Sequence, residues 1–437
     1  MSTKLTRIAE LAKQDRKLKF FSIAHLLTVE AMEQAFLSLR KEASAGVDGV
    51  TYAQYREQER ENLERLHERL KSGHYRAQPL RRSYIAKEDG RQRPIGIPVL
   101  EDKIVQKAAV EVLGAIYEQD FVKCSYGSRP GRSAHEALDE VGRVICQQPI
   151  GYVVEADICG YYDAIVRERL MEMIEKRVGD SSLGRLIRKW INVGVIEEGR
   201  LLVTKTGTGQ GQVISPLLAN IYLHYVLDEW LEEEVKPQLK GRAYEIRYVD
   251  DFILCFQHRE DAEKVLGALS QRFAEYGLTL HPEKTRLLEF GRSALVKSEQ
   301  PGGEKPGTFD FLGFTHICRR SRKGKFTIHL RTVRKRLSRS LKRVAVWCQK
   351  HRHDPVEEQH RALNAKLRGH DQYYGRPTNF PSLREYHREV RKLWKKWLNR
   401  RTRGKTLTWA GYQQLLSLHP LLRPRITHAW TGAGSLV

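Results

Sequence analysis

The pattern of apolar and polar residues predicts helices for most of residues 1–80 and strands soon after them. The stretch "TVEAMEQAFLSLRKE" has apolar residues at helical spacing behind Thr28, a residue type that caps helices. The Gly-rich "SAGVDGVT" interrupts this pattern and predicts a loop. Residues 83–98 read as two short strands around a turn at "EDGRQ", so a β-hairpin is expected there.

The middle of the chain mixes long helices with short apolar strands. Short apolar runs predict a buried strand at "GYVVEADI" and a hairpin near "EEGRLLVTKTGTGQG". Helical spacing predicts helices after that strand to about residue 195, and also at "EDKIVQKAAVEVLGAIYEQDF", "SPLLANIYLHYVLDEWLEEEV" and "REDAEKVLGALSQRFAEYG". This mixture predicts the α+β fold class.

Two adjacent aspartates interrupt an otherwise apolar, strand-forming run at "RYVDDFILCF". The simplest interpretation is a hairpin with Asp250 and Asp251 at its turn. Because two like charges in such a run repel each other, their presence requires a compensating interaction.

The last part of the chain is predicted to be helical and basic. Residues 292–308 are rich in Gly, Pro and charged residues and predict a loop. After "FDFLGFTHICRR" the helical pattern continues to about residue 400. We therefore predict a main boundary near residue 320 and three regions, 1–80, 81–318 and 319–437.

The net charge of +23 is concentrated in the last of these regions. Residues 319–437 hold 30 Lys/Arg and 6 Asp/Glu, whereas the first 318 residues hold 46 and 47 and are nearly neutral. Nucleic acid is the partner that such a surface predicts, since each phosphate contact releases counterions. A basic surface with no ligand is the alternative. A disordered basic tail is less consistent with the composition, because the region keeps several Trp and Tyr residues.

Composition also excludes other classes of protein. No run of eighteen apolar residues is present, so a membrane span is not expected, and the N-terminus lacks the apolar core of a secretion signal. The six cysteines form no CxxC pair, so a zinc site or a disulfide framework is not expected and a reducing cytosol fits.

A third acid adds chemistry to the aspartate pair. In "VVEADICGYYD", Asp157 ends an apolar strand. Carboxylates at strand ends and turns suit hard divalent cations. Asp157, Asp250 and Asp251 together could hold two Mg²⁺ ions, one to activate a primer 3′-hydroxyl and one to neutralise a triphosphate leaving group, which is the logic of nucleotidyl transfer.

At these acids the chain resembles the maturase-type reverse transcriptases of bacterial group II introns, from about Leu5 to about Ile426. The resemblance is carried by several ordered blocks, "YIAKEDGRQRPIGIPVLEDKIVQ", "CSYGSRPGRSAHEAL", "GTGQGQVISPLLANIYL", "GLTLHPEKTR", "FDFLGF", "LRGHDQYYG" and "LTWAGYQQLLSLHPLLRPRI". It implies a right-hand polymerase with an N-terminal extension at 1–80, fingers and palm with antiparallel sheet at 81–318, and a basic helical thumb at 319–437.

The resemblance also implies the catalytic roles. Residues 248–251 match the family's Tyr-x-Asp-Asp turn, and Asp157 matches its first catalytic acid. Asp157 and Asp250 would bind the metal ions, Asp251 would support them, and Ile158 would lie in the same metal site. Mg²⁺ is the expected ion, with Mn²⁺ as a substitute.

Substrate contacts follow from the same matches. Lys87 and Arg93 would contact the incoming triphosphate, since an ammonium and a guanidinium both suit phosphate. Tyr162 would exclude a ribose 2′-hydroxyl and so select dNTPs over rNTPs. Gln210 and its glycines would let the backbone approach template and nucleotide. The substrate-binding set is completed by Tyr248 and Val249.

The thumb-like region supplies the expected nucleic-acid contacts. They are assigned to Arg334, Arg368, Lys395 and Lys396, and the tryptophans there are expected mainly in the core. The implied partners are an RNA template, a DNA primer, dNTPs and intron RNA, in the bacterial cytosol or nucleoid. A homodimer is left open.

The chain departs from the family pattern at several positions. Val249 stands where intron enzymes usually have Ala, Gly209 where they have Pro, and Ser128 where they have Phe. Gln212 adds bulk beside Gly209, "YYD" replaces Phe-Phe-Asp, and no Cys/His-bearing nuclease domain is expected. Two alternatives therefore stay open: a domesticated enzyme of host DNA repair or defence, and a splicing cofactor that binds RNA without polymerising.

Four further residues are interpreted as less central. Asp163 is expected to be structural, and Lys284 to be a surface or phosphate-adjacent lysine rather than a catalytic acid. His135 and His370 are expected to be helix or packing residues, because nothing nearby suggests a nucleophile or a metal site.

Overall fold

A computed structural model describes residues 3–86, 92–401 and 407–429 and confirms the α+β class. The helices are α1 Thr3–Gln14, α2 Val29–Ser38, α3 Tyr52–Glu57, α4 Glu59–Lys71, α5 Leu100–Asp120, α6 Ala134–Gln147, α7 Tyr161–Ala164, α8 Arg167–Glu175, α9 Ser181–Asn192, α10 Ser215–Leu223, α11 Arg259–Glu275, α12 Arg292–Ser298, α13 Arg334–Lys350, α14 Val356–Tyr374, α15 Phe380–Leu398 and α16 Trp409–Leu418. The strands are β1 Leu80–Ala86, β2 Gln92–Ile97, β3 Tyr152–Ala156, β4 Val195–Glu197, β5 Arg200–Leu202, β6 Ala243–Tyr248, β7 Asp251–Phe256, β8 Arg286–Glu289, β9 Thr308–Phe311, β10 Phe314–Arg320 and β11 Phe326–Thr332.

The chain divides into two compact units. Unit 1 contains residues 1–134, 156–254 and 260–286, and unit 2 contains residues 135–155, 255–259 and 287–437. The predicted division into three regions stays a prediction. The predicted boundary between residues 318 and 319 falls inside β10, and the helical pattern begins at Arg334 rather than directly after residue 318.

Three sheets carry the strands, in the orders β2-β1-β4-β5, β6-β7-β3-β8 and β11-β10-β9. β1 and β2 pair antiparallel, from Arg81 opposite Ile97 to Ala86 opposite Gln92, as the predicted hairpin requires. β1 also pairs parallel with β4, where Leu80 lies opposite Val195. The turn "EDGRQ" itself falls largely outside the described residues.

Helix starts follow their capping residues. The Thr28 side chain accepts a hydrogen bond of 3.2 Å from the Ala31 amide at the start of α2, as predicted. α3 begins with a capping box, in which Thr51 and Gln54 bond each other's backbone amides. α5 is buried along almost its whole length, which explains why its sequence is apolar on most faces.

The predicted long helix at residues 215–235 is interrupted. α10 is regular only to Leu223, and the segments His224–Asp228 and Leu231–Val235 are π-helical. A π-helical turn holds more residues than an α-helical turn and is common at functional sites. The interruption places Asp228 in a fully buried ion pair with Arg247, a contact that apolar spacing could not have predicted.

Residues 292–308, predicted as a loop, include the short helix α12. The reason is visible in the sequence: the Gly and Pro residues follow this helix, whereas Ala294 and Leu295 are buried within it. Gly291 precedes the helix with a φ of +128°, a backbone conformation that L-residues rarely adopt.

Unit 2 has a helical core built from α13 to α16. It includes Leu337, Val344, Cys348, Leu363, Leu367, Tyr386, Val390, Trp394, Leu398, Tyr412 and Leu416. Trp394 is fully buried, as expected of a core tryptophan, while Trp409 is 55% exposed. In the parts of the chain that the structure describes, no helix is both long and apolar enough to cross a lipid bilayer.

Candidate active site

Asp157 directly follows β3, and hydrogen bonds to residues 279–281 hold the backbone around it. The His281 amide donates to the Asp157 carbonyl at 2.7 Å, and the Cys159 amide donates to the Thr279 carbonyl at 2.9 Å. Ile158 lies between these two bonds, and its side chain is buried. Since that side chain has no polar atom, only the main-chain carbonyl of Ile158 could serve as a metal ligand.

The predicted hairpin around the aspartate pair is present. β6 ends at Tyr248, which is half-buried, β7 begins at Asp251, and residues 249–250 connect them. Asp250 is half-buried and Asp251 is exposed. The two strands are neighbours in the sheet order, so the acids lie at a strand end as Asp157 does.

The carboxyl group of Asp250 is affected by burial and by the charge of Asp157. Burial raises the pKa of Asp250, and the negative charge of Asp157 raises it further, while a backbone amide, Arg93 and Arg247 lower it. Two carboxylates that repel each other in a half-buried site are stabilised by a shared cation, and carboxylate oxygens are the ligands that hard divalent cations prefer. Asp157 and Asp250 therefore fit a divalent metal ion, and Asp251 directly follows Asp250 in the chain.

Tyr162 and Arg93 both lie near Asp250. Burial raises the pKa of Tyr162 to about 12, with Asp250 raising it and Arg93 lowering it. Arg93 is exposed on β2, and Tyr162 is half-buried on α7. The structure thus brings Arg93 and Tyr162 to the side of Asp250, whereas Lys87 lies outside the described residues.

The loop that carries Gln210 packs between α7 and β2. The Thr208 amide donates to the Tyr162 carbonyl at 3.1 Å, and the Gly96 amide donates to the Gln210 carbonyl at 2.7 Å. A Cβ at Gly211 would lie only 2.5 Å from the Gly96 carbonyl oxygen, so only glycine allows this approach. The loop is therefore held against the strand that bears Arg93.

Two departures from the family pattern in this loop have a structural reason. Gly209 has a φ of +69°, which proline cannot adopt. The Gln212 side chain is buried: its amide nitrogen donates to the carbonyls of Trp190 at 3.0 Å and Thr208 at 2.9 Å, and its oxygen accepts from Gln106 at 2.7 Å. Gln212 is thus a structural amide that ties the loop to α5 and α9, and not merely added bulk.

Lys284 lies closer to the acids than its sequence position indicated. Its ammonium nitrogen forms an ion pair with Oδ2 of Asp157, and its side chain is 58% exposed. This contact joins residues 127 positions apart, so spacing in the sequence could not predict it. The only signal was that Lys284 lies in the block "GLTLHPEKTR". Asp163, which lies exposed on α7, does not take part in the ion pair between Lys284 and Asp157.

Val249, between the two strands of the hairpin, has a strained backbone. Its φ is +60°, in the left-handed region that a β-branched side chain rarely adopts. Such a residue costs on the order of 1–3 kcal/mol and persists only where its surroundings enforce it. Ser128, in the loop beside it, also has a positive φ, +55°.

A buried ionic cluster that sequence reasoning missed lies behind this turn. Cys124, Asp228 and Glu245 have ligand atoms within 4.8 Å of one another, but the Arg247 guanidinium pairs with Asp228 at 2.5 Å, and both side chains are fully buried. Burial raises the pKa of Glu245 well above its ordinary value, with the charge of Asp228 raising it further. The guanidinium thus supplies the cation here, so we do not interpret this cluster as a metal site.

The basic residues assigned to nucleic acid lie on three helices of unit 2. Arg334 begins α13, Arg368 lies on α14, and Lys395 and Lys396 lie in the last turn of α15. Lys395 is half-buried, with its ammonium nitrogen 4.8 Å from the ring centre of Trp409, and the other three are exposed.

Comparison with known proteins agrees with this geometry. The model of the family described as "Reverse transcriptase (RNA-dependent DNA polymerase)" matches residues 85–316, more than half of the 437 residues. Protein YkfC of Escherichia coli (strain K12) is 35% identical over 249 residues, 55% of this chain and 64% of that protein. The group II intron-encoded protein LtrA of Lactococcus lactis subsp. cremoris is 34% identical over 245 residues, 54% of this chain and 41% of that protein.

A third relative is the uncharacterized 91 kDa protein in the cob intron of Schizosaccharomyces pombe, 35% identical over 207 residues, 46% of this chain and 25% of that protein. The matched regions thus span between a quarter and just under two thirds of these relatives. The family match runs from the end of β1 to the start of β10 and includes Asp157, Asp250 and Asp251. The chain therefore belongs to the reverse transcriptase family.

Proposed function

We propose that the chain is an RNA-directed DNA polymerase of the group II intron type. It would transfer a deoxynucleotide from a dNTP to a primer 3′-hydroxyl opposite an RNA template. The primer oxygen forms a bond to the α-phosphorus, the bond to pyrophosphate breaks, and the hydroxyl proton passes to solvent. The observation that carries the proposal is the convergence of Asp157, Asp250, Arg93 and Tyr162 in one part of unit 1.

Asp157 and Asp250 would hold Mg²⁺, with Asp251 and the Ile158 carbonyl beside them. When bound, divalent cations would lower the pKa of the primer hydroxyl and neutralise the triphosphate charge. Family members generally use divalent metals, and Mg²⁺ in particular is part of the proposal, with Mn²⁺ as its substitute. The fixed backbone at residues 157–159 orients the first acid before a cation binds.

Arg93 and Tyr162 would position the nucleotide. The exposed guanidinium of Arg93 can bond two phosphate oxygens at once. The Thr208 amide fixes the backbone of Tyr162 through its main-chain carbonyl, and the Tyr162 ring would occupy the space that a ribose 2′-hydroxyl requires. Lys87 is assigned to the same triphosphate by resemblance.

Unit 2 would bind RNA. Its exposed Arg334, Arg368 and Lys396, with Lys395 beside Trp409, offer charge for phosphate and an aromatic face for a base. Because one relative is named as a group II intron-encoded protein, we propose intron RNA as the ligand, with a role in splicing and retrohoming. None of the relatives described above is named for DNA repair, so that alternative gains no support from them; the homodimer stays a prediction.

Primer extension on an annealed RNA template with Mg²⁺ and dNTPs tests the proposal. Asp157→Asn and Asp250→Asn should each lower the rate by at least about 10²–10³-fold, the scale on which one electrostatic group acts. Asp163→Asn, an exposed acid on α7, is the matched control and should extend like the wild type. Binding of the primer–template duplex should be unchanged in all three variants.

Two outcomes would contradict the proposal. An equal loss of duplex binding in the Asp157 and Asp250 variants would make the acids structural. Weak copying of RNA beside efficient joining of DNA ends that share short microhomologies would instead favour the repair alternative.

A further inference from the structure

The strained turn at Val249 is held from behind by one side chain. Arg247 Nη1 donates a hydrogen bond of 3.0 Å to the Val249 carbonyl, which directly precedes Asp250. Arg247 is fully buried, so it cannot touch a nucleotide or a template. Its influence on the reaction can therefore act only indirectly, through the turn that it holds and through its positive charge, which lowers the pKa of Asp250.

Hydrogen bonds hold both the side chain and the backbone of Arg247. Its Nε and Nη2 donate to the two oxygens of Asp228 at 2.6 and 2.5 Å, and its Nη1 also donates to Asn220 Oδ1 at 3.0 Å. Its backbone is bonded to residues 124–126: its amide donates to the Cys124 carbonyl at 2.9 Å, and its carbonyl accepts from the Tyr126 amide at 2.8 Å. The planar guanidinium bonds Asp228, Asn220 and Val249 at once, which an ammonium group could not do.

The same network closes around the other face of the turn. Asn220 Nδ2 donates to the Gly127 carbonyl at 2.8 Å. A Cβ at Gly127 would lie 2.5 Å from the Val249 nitrogen and 2.6 Å from its Cγ2, so glycine is required for the approach. Val249 is thus confined between Gly127 and the Arg247 guanidinium, in the conformation that its own side chain disfavours.

We propose that Arg247 is a positioning residue for nucleotidyl transfer, which keeps Val249 left-handed and thereby fixes where the Asp250 carboxylate lies. This inference rests on the proposed function, since it concerns the rate of the same reaction. Asp228 and Asn220 act with Arg247 by fixing its plane. The strain at Val249 makes the turn dependent on this support, because the unsupported turn would relax and move Asp250.

The central test is Arg247→Lys, which keeps the buried charge beside Asp228 but cannot keep every bond. We expect kcat for primer extension to fall at least tenfold, while the KM for dNTP and the Kd for duplex change less than about threefold. Arg177→Lys is the matched control: Arg177 is a buried arginine of unit 1 that pairs with Asp120 at 2.8 Å and bonds the backbone at the end of α1. It should lose stability without losing kcat.

A double variant separates positioning from folding. Glycine adopts a positive φ without strain, so the Val249→Gly background should need Arg247 less. We expect Arg247→Lys to reduce kcat at least threefold less in that background than alone. If Arg247→Lys does not fold, Asn220→Ala replaces it, since it removes the bonds to Arg247 and Gly127 but leaves no unpaired charge.

The outcomes are distinct. An inactive wild type would overturn the proposed function. If the wild type is active, three results would overturn the positioning role alone. They are an unchanged kcat in Arg247→Lys, a loss of kcat equal to that in Arg177→Lys, and independent effects of the Arg247 and Val249 substitutions. A smaller loss in the Val249→Gly background, with normal duplex binding, supports it.

Discussion

The ammonium group of Lys284 pairs with the Asp157 carboxylate, the acid that follows β3. The partner of a proposed metal ligand is thus a positive side chain from residues far along the chain. A divalent cation that used both oxygens of Asp157 would have to displace this ammonium group. Lys284 and the cation therefore compete for one carboxylate.

Replacing Lys284 should strengthen cation binding. In Lys284→Gln the competing charge is absent, so the Mg²⁺ concentration that gives half-maximal extension should fall. Lys284 is 58% exposed, and exposed ion pairs contribute only about 0.2–1 kcal/mol, so we expect a decrease of about 1.5- to 5-fold. A Mg²⁺ titration of primer extension measures it.

Lys297→Gln is the matched control, since Lys297 forms a similar exposed pair with Glu289 at 2.6 Å. Its Mg²⁺ requirement should equal that of the wild type. An unchanged or higher requirement in Lys284→Gln would show that the ammonium does not compete with the cation.

Tyr162→Ala should relax sugar selection. The ring beside Asp250 would no longer fill the space of a 2′-hydroxyl, so the ratio of rNTP to dNTP incorporation should rise by about tenfold or more, equivalent to at least ~1.4 kcal/mol. Competitive extension with labelled rNTPs and dNTPs measures the ratio. Tyr162→Phe keeps the ring and should keep the selection; a similar ratio in both variants would remove Tyr162 from this role.

The basic side chains of unit 2 should set the salt dependence of RNA binding. Each phosphate contact contributes about −0.9 to the slope of log K against log salt for a duplex and about −0.7 for a single strand. Lys396→Ala and Arg368→Ala should therefore each make the slope shallower by about one contact. Filter binding at several salt concentrations tests this.

Lys240→Ala is the control for this series, because Lys240 is exposed in unit 1 and pairs with Glu260 at 2.6 Å. Its slope should match that of the wild type. If Lys240→Ala changes the slope while the unit 2 variants do not, the phosphate contacts lie elsewhere.

Acid should destabilise unit 2 through His370. This ring stacks on Tyr386 with 3.7 Å between centres, and burial lowers its pKa to about 4. Because the unfolded chain takes up the proton first, the stabilisation is present above about pH 6.5 and is lost as the pH falls toward 4. Between pH 7 and pH 5 the unfolding free energy should fall by about 1–2 kcal/mol from this group.

His370→Phe keeps the stacking ring without the titratable nitrogen, so its loss of stability over that range should be smaller by about the same amount. His353→Gln, at an exposed position, is the control. Urea denaturation at pH 7 and pH 5 measures the difference, and an equal loss in His370→Phe and the wild type would contradict the assignment.

Local patterns predicted most of the elements and the strand-end positions of Asp157 and Asp250. Asp157 follows one apolar run and Asp250 lies between two others, and the length and composition of these runs can be read from the sequence. The cap at Thr28 likewise depends on a residue only three positions away. The packing role expected for His370 is confirmed by its stack on Tyr386. Such features depend on neighbours in the chain, so spacing is sufficient to find them.

The features that were missed depend on distant residues. The pairs Asp157–Lys284 and Asp228–Arg247 join separate elements, and Gln212 is explained only by its bonds to Gln106 and Trp190. The strained φ of Val249 is likewise set by its surroundings and not by its own preference. Periodicity carries no information about these contacts.

The π-helical segment His224–Asp228 has a consequence for how the gene can change in length. Each residue of a helix occupies its own angular position around the helix axis, so deleting one residue between Ser215 and Asp228 would turn Asp228 away from Arg247. In the β4–β5 hairpin, Leu201 and Leu202 of β5 are exposed, and in the described part of the chain neither forms a buried ion pair of this kind. Insertions and deletions should therefore accumulate at that hairpin among descendants of this sequence, while the distance in residues from Ser215 to Asp228 stays constant.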